Sequence, residues 1–136
     1  MDAIAAAPVA LALALAGVLC GCGAPASRVE GATQAALTFE RALTGGDYLR
    51  ACAQLAPQTR QQLEEEEHEQ CVSALRDQKP PTAGEAREAE VYGRQALLRI
   101  QGDTLFLSQF GDGWKVVAAG CVPQGEKPYR CSLKSG

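Results

Sequence analysis

Residues 91–119 read VYGRQALLRIQGDTLFLSQFGDGWKVVAA, and this stretch decides the fold. Val91 opens an extended run, and Gly93-Arg94 forms a tight turn into Ala96-Leu97-Leu98-Arg99-Ile100. Gly102-Asp103 then turns into Thr104 to Phe110, and Gly111-Asp112-Gly113 turns into Trp114 to Ala119. Short apolar runs joined by Gly/Asp turns are the signature of consecutive hairpins, so the stretch predicts an antiparallel meander. A short edge strand is expected downstream, from Pro128 to Lys134.

Upstream of the meander the period changes. Ala32, Ala35, Ala36, Phe39 and Leu43 recur at three- and four-residue spacing, which predicts one helix from about Val29 to Thr44. Gly45-Gly46 stops it, and Asp47 is placed to cap a second helix with Tyr48, Leu49, Cys52 and Leu55 inward. Pro57 suits the first turn of a third helix, which carries Leu63 and Glu64 to Glu67 and runs on to Cys71, Val72 and Leu75. Lys79-Pro80-Pro81-Thr82-Ala83-Gly84 ends the helical half. Helices first and hairpins second predict an α+β fold, with N-terminal helices packed on one face of the meander.

The first residues follow a different logic. From Ala3 to Leu19 every residue is apolar, Gly or Pro. As a helix the run is about 26 Å long, short of a bilayer core of roughly 30 Å, and it is rich in weakly apolar Ala. A signal-peptide h-region fits better than an uncleaved anchoring helix. Leu19-Cys20-Gly21-Cys22 then matches a lipobox, with an aliphatic residue at −3 and a small one at −1. Cys22 satisfies this; Cys20 does not, because Leu19 precedes it. The expected organisation is a lipoprotein signal peptide at 1–21, a flexible tether at 22–30 and a single domain at 31–136. Within that domain helices span about 31–77 and the sheet about 86–134. No Lys or Arg precedes Arg28, and Asp2 is acidic, so either the true start lies upstream or the n-region is atypical.

An exported chain of 136 residues has room for one small core, and cross-links help to hold such a core. Four cysteines fall in the folded part, and local pairing gives Cys52–Cys71 and Cys121–Cys131, one of three connectivities for that set. Zinc is the competing reading, but its ligand pairs sit two to four residues apart, and the chain has no C-x-x-C. The formal charge of −3 comes without any Lys/Arg cluster, which argues against nucleic acid as a partner.

Phrases such as RACAQLAP (50–57), VYGR (91–94) and GDGWKV (111–116) resemble small secreted lipoproteins of high-GC Gram-positive bacteria. The abundance of Ala, and of Arg over Lys, is in keeping with that. Their domain is similar to the nuclear-transport-factor-2-like or cystatin-like superfamily, in which a curved sheet wraps helices into a cone. The resemblance covers roughly Ser27 to Leu133. Phe39, Gly46, Asp47 and Trp114-Lys115-Val116 match its inward aromatic, helix-to-helix turn and core strand. It carries over no functional residue.

Catalytic groups are hard to find. His68 is the only histidine and lies among glutamates on a charged helix face. Ketosteroid-isomerase-like enzymes of the superfamily pair an Asp base with a Tyr. Here Asp47, Asp103 and Asp112 occupy turns or caps, where Asp commonly bonds locally. Tyr48 and Tyr92 are as well explained by packing.

The expected function is therefore a non-catalytic binding or accessory module. It is tethered to the lipid bilayer at the outer face of the bacterial cell membrane, through a diacylglyceryl anchor on Cys22 with acyl chains such as palmitate. An envelope protein is the expected partner, with no metal and no cofactor. The alternative is a small-ligand carrier with a conical pocket lined by Phe39, Leu98, Phe106 and Val116; an enzyme of the ketosteroid-isomerase type ranks last.

Overall fold

A computed structural model describes residues 23–80 and 84–136; the signal segment, Cys20 and Cys22 lie outside the described residues. Four helices come first: α1 (Ala26–Thr44), α2 (Tyr48–Gln54), α3 (Pro57–Glu67) and α4 (Cys71–Gln78). Five strands follow: β1 (Ala86–Tyr92), β2 (Gln95–Ile100), β3 (Asp103–Phe110), β4 (Gly113–Gln124) and β5 (Lys127–Leu133). They pair antiparallel in sequence order, so the expected α+β arrangement of helices before a meander is present.

Alternation along the strands decides which face is covered. Leu98, Leu105, Leu107 and Val116 point to one face and are buried, while Leu97, Phe106 and Lys115 point to the other and are only partly covered. The helices pack on the first face, where α1 contributes Ala32, Ala36 and Phe39, all without accessible surface. A core poor in aromatics needs close approach, and small residues on α1 allow it. A Cβ on Gly31 would lie 3.1 Å from Cδ1 of Trp114, so glycine there lets the helix settle onto the first turn of β4.

One half of β4 lacks a β5 neighbour, because β5 pairs only with residues 119 to 124. Bare strand carbonyls would cost free energy if buried unpaired. The link between α2 and α3 covers them. Ala56 N–H donates to the Val116 carbonyl at 2.8 Å, and the buried Thr59 hydroxyl donates to that of Val117 at 2.8 Å.

Meander topology also fixes two ends. The β1–β2 and β3–β4 turns share one end with the start of α1, where Arg28 donates to the Gly93 carbonyl and to Gln109 Oε1. The β2–β3 turn, the β4–β5 hairpin and the last turns of α1 share the other.

Several boundaries differ from the sequence reading. Helix α1 begins at Ala26, so residues 26–30 of the expected tether are helical and Arg28 is pinned to the sheet. The third helix divides in two: His68 ends α3 in a left-handed conformation (φ 55°), and Glu64 Oε1 accepts the Cys71 N–H at the start of α4. Leu49 is 73% exposed, not inward. At 100° per residue it lies well round the helix from the buried stripe of Ala51, Cys52 and Leu55.

Both cysteine pairs are bonded as local pairing predicts. Cys52–Cys71 joins α2 to α4 with a Cα separation of 6.1 Å, and Cys121–Cys131 joins directly opposed residues of β4 and β5. Replacing Cys52 and Cys71 together by Ala should lower stability by about 3 kcal/mol, the loop-closure entropy returned to the unfolded chain. Urea denaturation followed by circular dichroism measures it; an unchanged midpoint would refute the estimate.

Candidate functional site

The polar centre of the domain is one the sequence reading passes over. Glu40 follows Ala36 by four residues, so it lies on the apolar face of α1 beside Phe39 and Leu43, and it is only 1% exposed. It hydrogen-bonds with Asp103, the first residue of β3. The Asp103 oxygens also accept the Thr104 N–H at 2.7 Å and the Gly120 N–H at 3.2 Å, with the Cys121 N–H nearby. Gly120 reaches Asp103 from a backbone conformation of φ 65°, open to glycine but strained for other residues.

Two carboxyls can share a hydrogen bond only if one of them carries a proton. Burial pushes the Asp103 carboxyl above its ordinary pKa; the Gly120 N–H, then Glu40 and the remaining N–H donors, partly offset this. The oxygens of Asp103 are thus engaged by protein donors, which suits a lock between α1 and the sheet better than a base awaiting substrate. The signal in the sequence was a lone Glu on an otherwise apolar helix stripe.

On the other side of Asp103 lies an open groove of about 570 Å³. It is bordered by the guanidinium-bearing Arg87 and Arg99, the hydroxyls of Thr104 and Ser132, and the exposed Val122. A neighbouring depression of about 290 Å³, bordered by Arg130, shares Gly120, Val122 and Ser132 with it. Arg99 is positioned by Tyr129, then by Glu88 at 2.8 Å; both push its already high pKa further up. Tyr129 in turn packs edge-on against Phe106, with ring centroids 5.2 Å apart. The Cys121–Cys131 bond ties together the two strands that form this rim.

Of the residues named for a conical pocket, Phe39, Leu98 and Val116 have no accessible surface and meet in the core. Phe106 lies on the opposite face of the sheet, apart from the other three. The remaining candidates scatter. Asp47 caps α2 by accepting the Arg50 N–H at 3.2 Å, Asp112 pairs with Lys115 at the β3–β4 turn, and His68 is exposed. Tyr48 packs under Arg76, while Tyr92 is 71% exposed at the β1–β2 turn. The glutamate run is a solvated face: Arg60, Gln61 and Gln62 each bond the glutamate four residues on.

No family model, curated protein or solved structure matches the chain. Among the described residues no helix is long and apolar enough to cross a membrane, and no group of three or more His, Cys, Asp or Glu is arranged to hold a metal ion.

A carboxyl whose pKa is raised by folding stabilises the protein while protonated. That contribution is complete below the unfolded value of about 4 and is lost as pH rises through the folded value. The urea midpoint of the native protein should therefore fall as pH rises from about 4 relative to Asp103→Asn, whose amide does not titrate. Parallel pH profiles for the two proteins would show that folding does not raise the Asp103 pKa.

Proposed function

We propose that this protein is an exported lipoprotein, held at the outer face of a bacterial cell membrane by a diacylglyceryl group on Cys22. Its domain acts as a non-catalytic binding module. We further read the helices and meander as the cystatin-like cone of the nuclear-transport-factor-2-like superfamily, with α1 occupying the interior that related folds leave hollow.

The observation that carries the binding reading is the groove beside the Cys121–Cys131 hairpin. It is open, bordered by several hydrogen-bond donors and backed by a cross-linked rim. Guanidinium and hydroxyl groups together suit an acidic or hydroxyl-rich envelope component. The carrier reading loses support because Phe39, Leu98 and Val116 fill the space that a ligand would need. The enzymatic reading loses support because the Asp103 carboxyl is engaged by backbone donors. Export agrees with two disulfides in so small a domain.

The test places a photo-crosslinking residue at Val122, on the groove rim, and separately at Leu49, exposed on α2. In living cells the Val122 probe should capture an envelope component of reproducible mass, and the Leu49 probe should not. Arg87→Ala combined with Arg99→Ala should reduce that capture several-fold. Absence of any adduct at Val122 sinks the binding reading. Mass spectrometry of membrane fractions tests the anchor separately, the expected mature chain beginning at diacylglyceryl-Cys22.

A further inference from the structure

We infer that the end of the domain carrying the β1–β2 and β3–β4 turns is a second membrane contact, seated on the phospholipid surface beside the anchor. The inference rests on lipidation of Cys22 and goes beyond it, because it assigns an orientation and a set of contacting residues.

Reach is the first argument. Only Gly23, Ala24 and Pro25 separate Cys22 from Ala26, where α1 begins. Four residue steps span at most about 14 Å when fully extended. A lipid on Cys22 therefore leaves the start of α1 close to the headgroups. That helix is not free to swing away, since Arg28 is bonded to the Gly93 carbonyl and to Gln109 at 2.8 Å. Gly31 is seated against Trp114 a turn further on. The short link and the docked helix together bring the two turns to the bilayer.

Chemistry at that end is the second argument. Tyr92 is 71% exposed and Phe110 is 37% exposed, one at each turn. The turns are tied to one another, with the Gln109 N–H donating to the Arg94 carbonyl at 2.9 Å and the Arg94 guanidinium donating to the Gln109 carbonyl at 3.2 Å. Exposed aromatic rings beside cationic groups suit the boundary between headgroups and acyl chains. Arg28, Arg94 and Lys115 supply positive charge there, against the exposed Glu30 of α1 and Asp112, which is itself paired with Lys115 at 3.7 Å, so the end stays net positive. The outer leaflet's phosphates are the chemical partner.

The same orientation turns the groove and the β4–β5 hairpin away from the membrane, since they occupy the opposite end of the sheet.

Depth-dependent quenching tests this on the full-length chain, purified from membranes and reconstituted into phosphatidylglycerol–phosphatidylethanolamine vesicles with brominated acyl chains. Tyr92→Trp reports the proposed contact and Val122→Trp the far end, each read as the difference from the native chain, whose Trp114 emits in both. Both positions are exposed, so the larger ring is accommodated, and native-like circular dichroism of each variant verifies that. The expected result is flotation with the vesicles, with Tyr92→Trp emission blue-shifted and quenched several-fold more than that of Val122→Trp. Flotation with equal, water-like emission from both overturns the second contact and leaves the anchor intact. Failure to float, with a mature N-terminus other than lipidated Cys22, overturns the anchor and this inference with it.

Discussion

The seating of α1 across the sheet is the constraint on which the remainder depends. Its apolar face is built largely of Ala, so its grip comes from proximity rather than from bulky side chains. Gly31 permits the approach at Trp114, and Ala32, Ala36 and Phe39 fill the middle. Polar pins fix both ends, Arg28 on the first hairpin and Glu40 on Asp103. Apolar contact alone would let a smooth helix slide or rotate; the pins give it one register.

Under the seated helix Phe39, Leu98 and Val116 are packed without accessible surface, and the groove proposed for binding lies at the sheet's far end. There the meander's order brings the β2–β3 turn next to the β4–β5 hairpin, and residues distant in sequence, such as Arg87 and Ser132, border one groove. The disulfide across the hairpin keeps that border from fraying at a point where β4 has only β5 beside it.

Much of this was legible in the sequence, for local reasons. Gly-containing turns announced the first three hairpins of the meander, Asp47 announced a cap, and near-neighbour cysteines announced their own pairing. What was not legible depends on contacts between distant segments. Nothing near His68 breaks a helix by composition; the break follows from Cys71 having to meet Cys52 and from Glu64 reaching forward to cap α4. Phe106 looks inward from its apolar neighbours, yet strand alternation puts it on the outer face, where Tyr129 covers it. Glu40 and Asp103 are each ordinary in their own segment and become a site only when α1 crosses the β2–β3 turn.

The placement of the two cross-links bears on how the chain acquires its shape. Cys52–Cys71 lies wholly within the helices and Cys121–Cys131 wholly within the last hairpin, so neither bond spans the two halves. On the export route proposed above, N-terminus first into an oxidising compartment, the earlier pair can close before the later pair has emerged, and neither cysteine of one pair need wait for a partner in the other. Oxidation can therefore follow the order of arrival. The union of helices and sheet is left to the packing of α1 and to the contacts of Ala56 and Thr59 with β4, and so stays reversible while the covalent bonds are already in place.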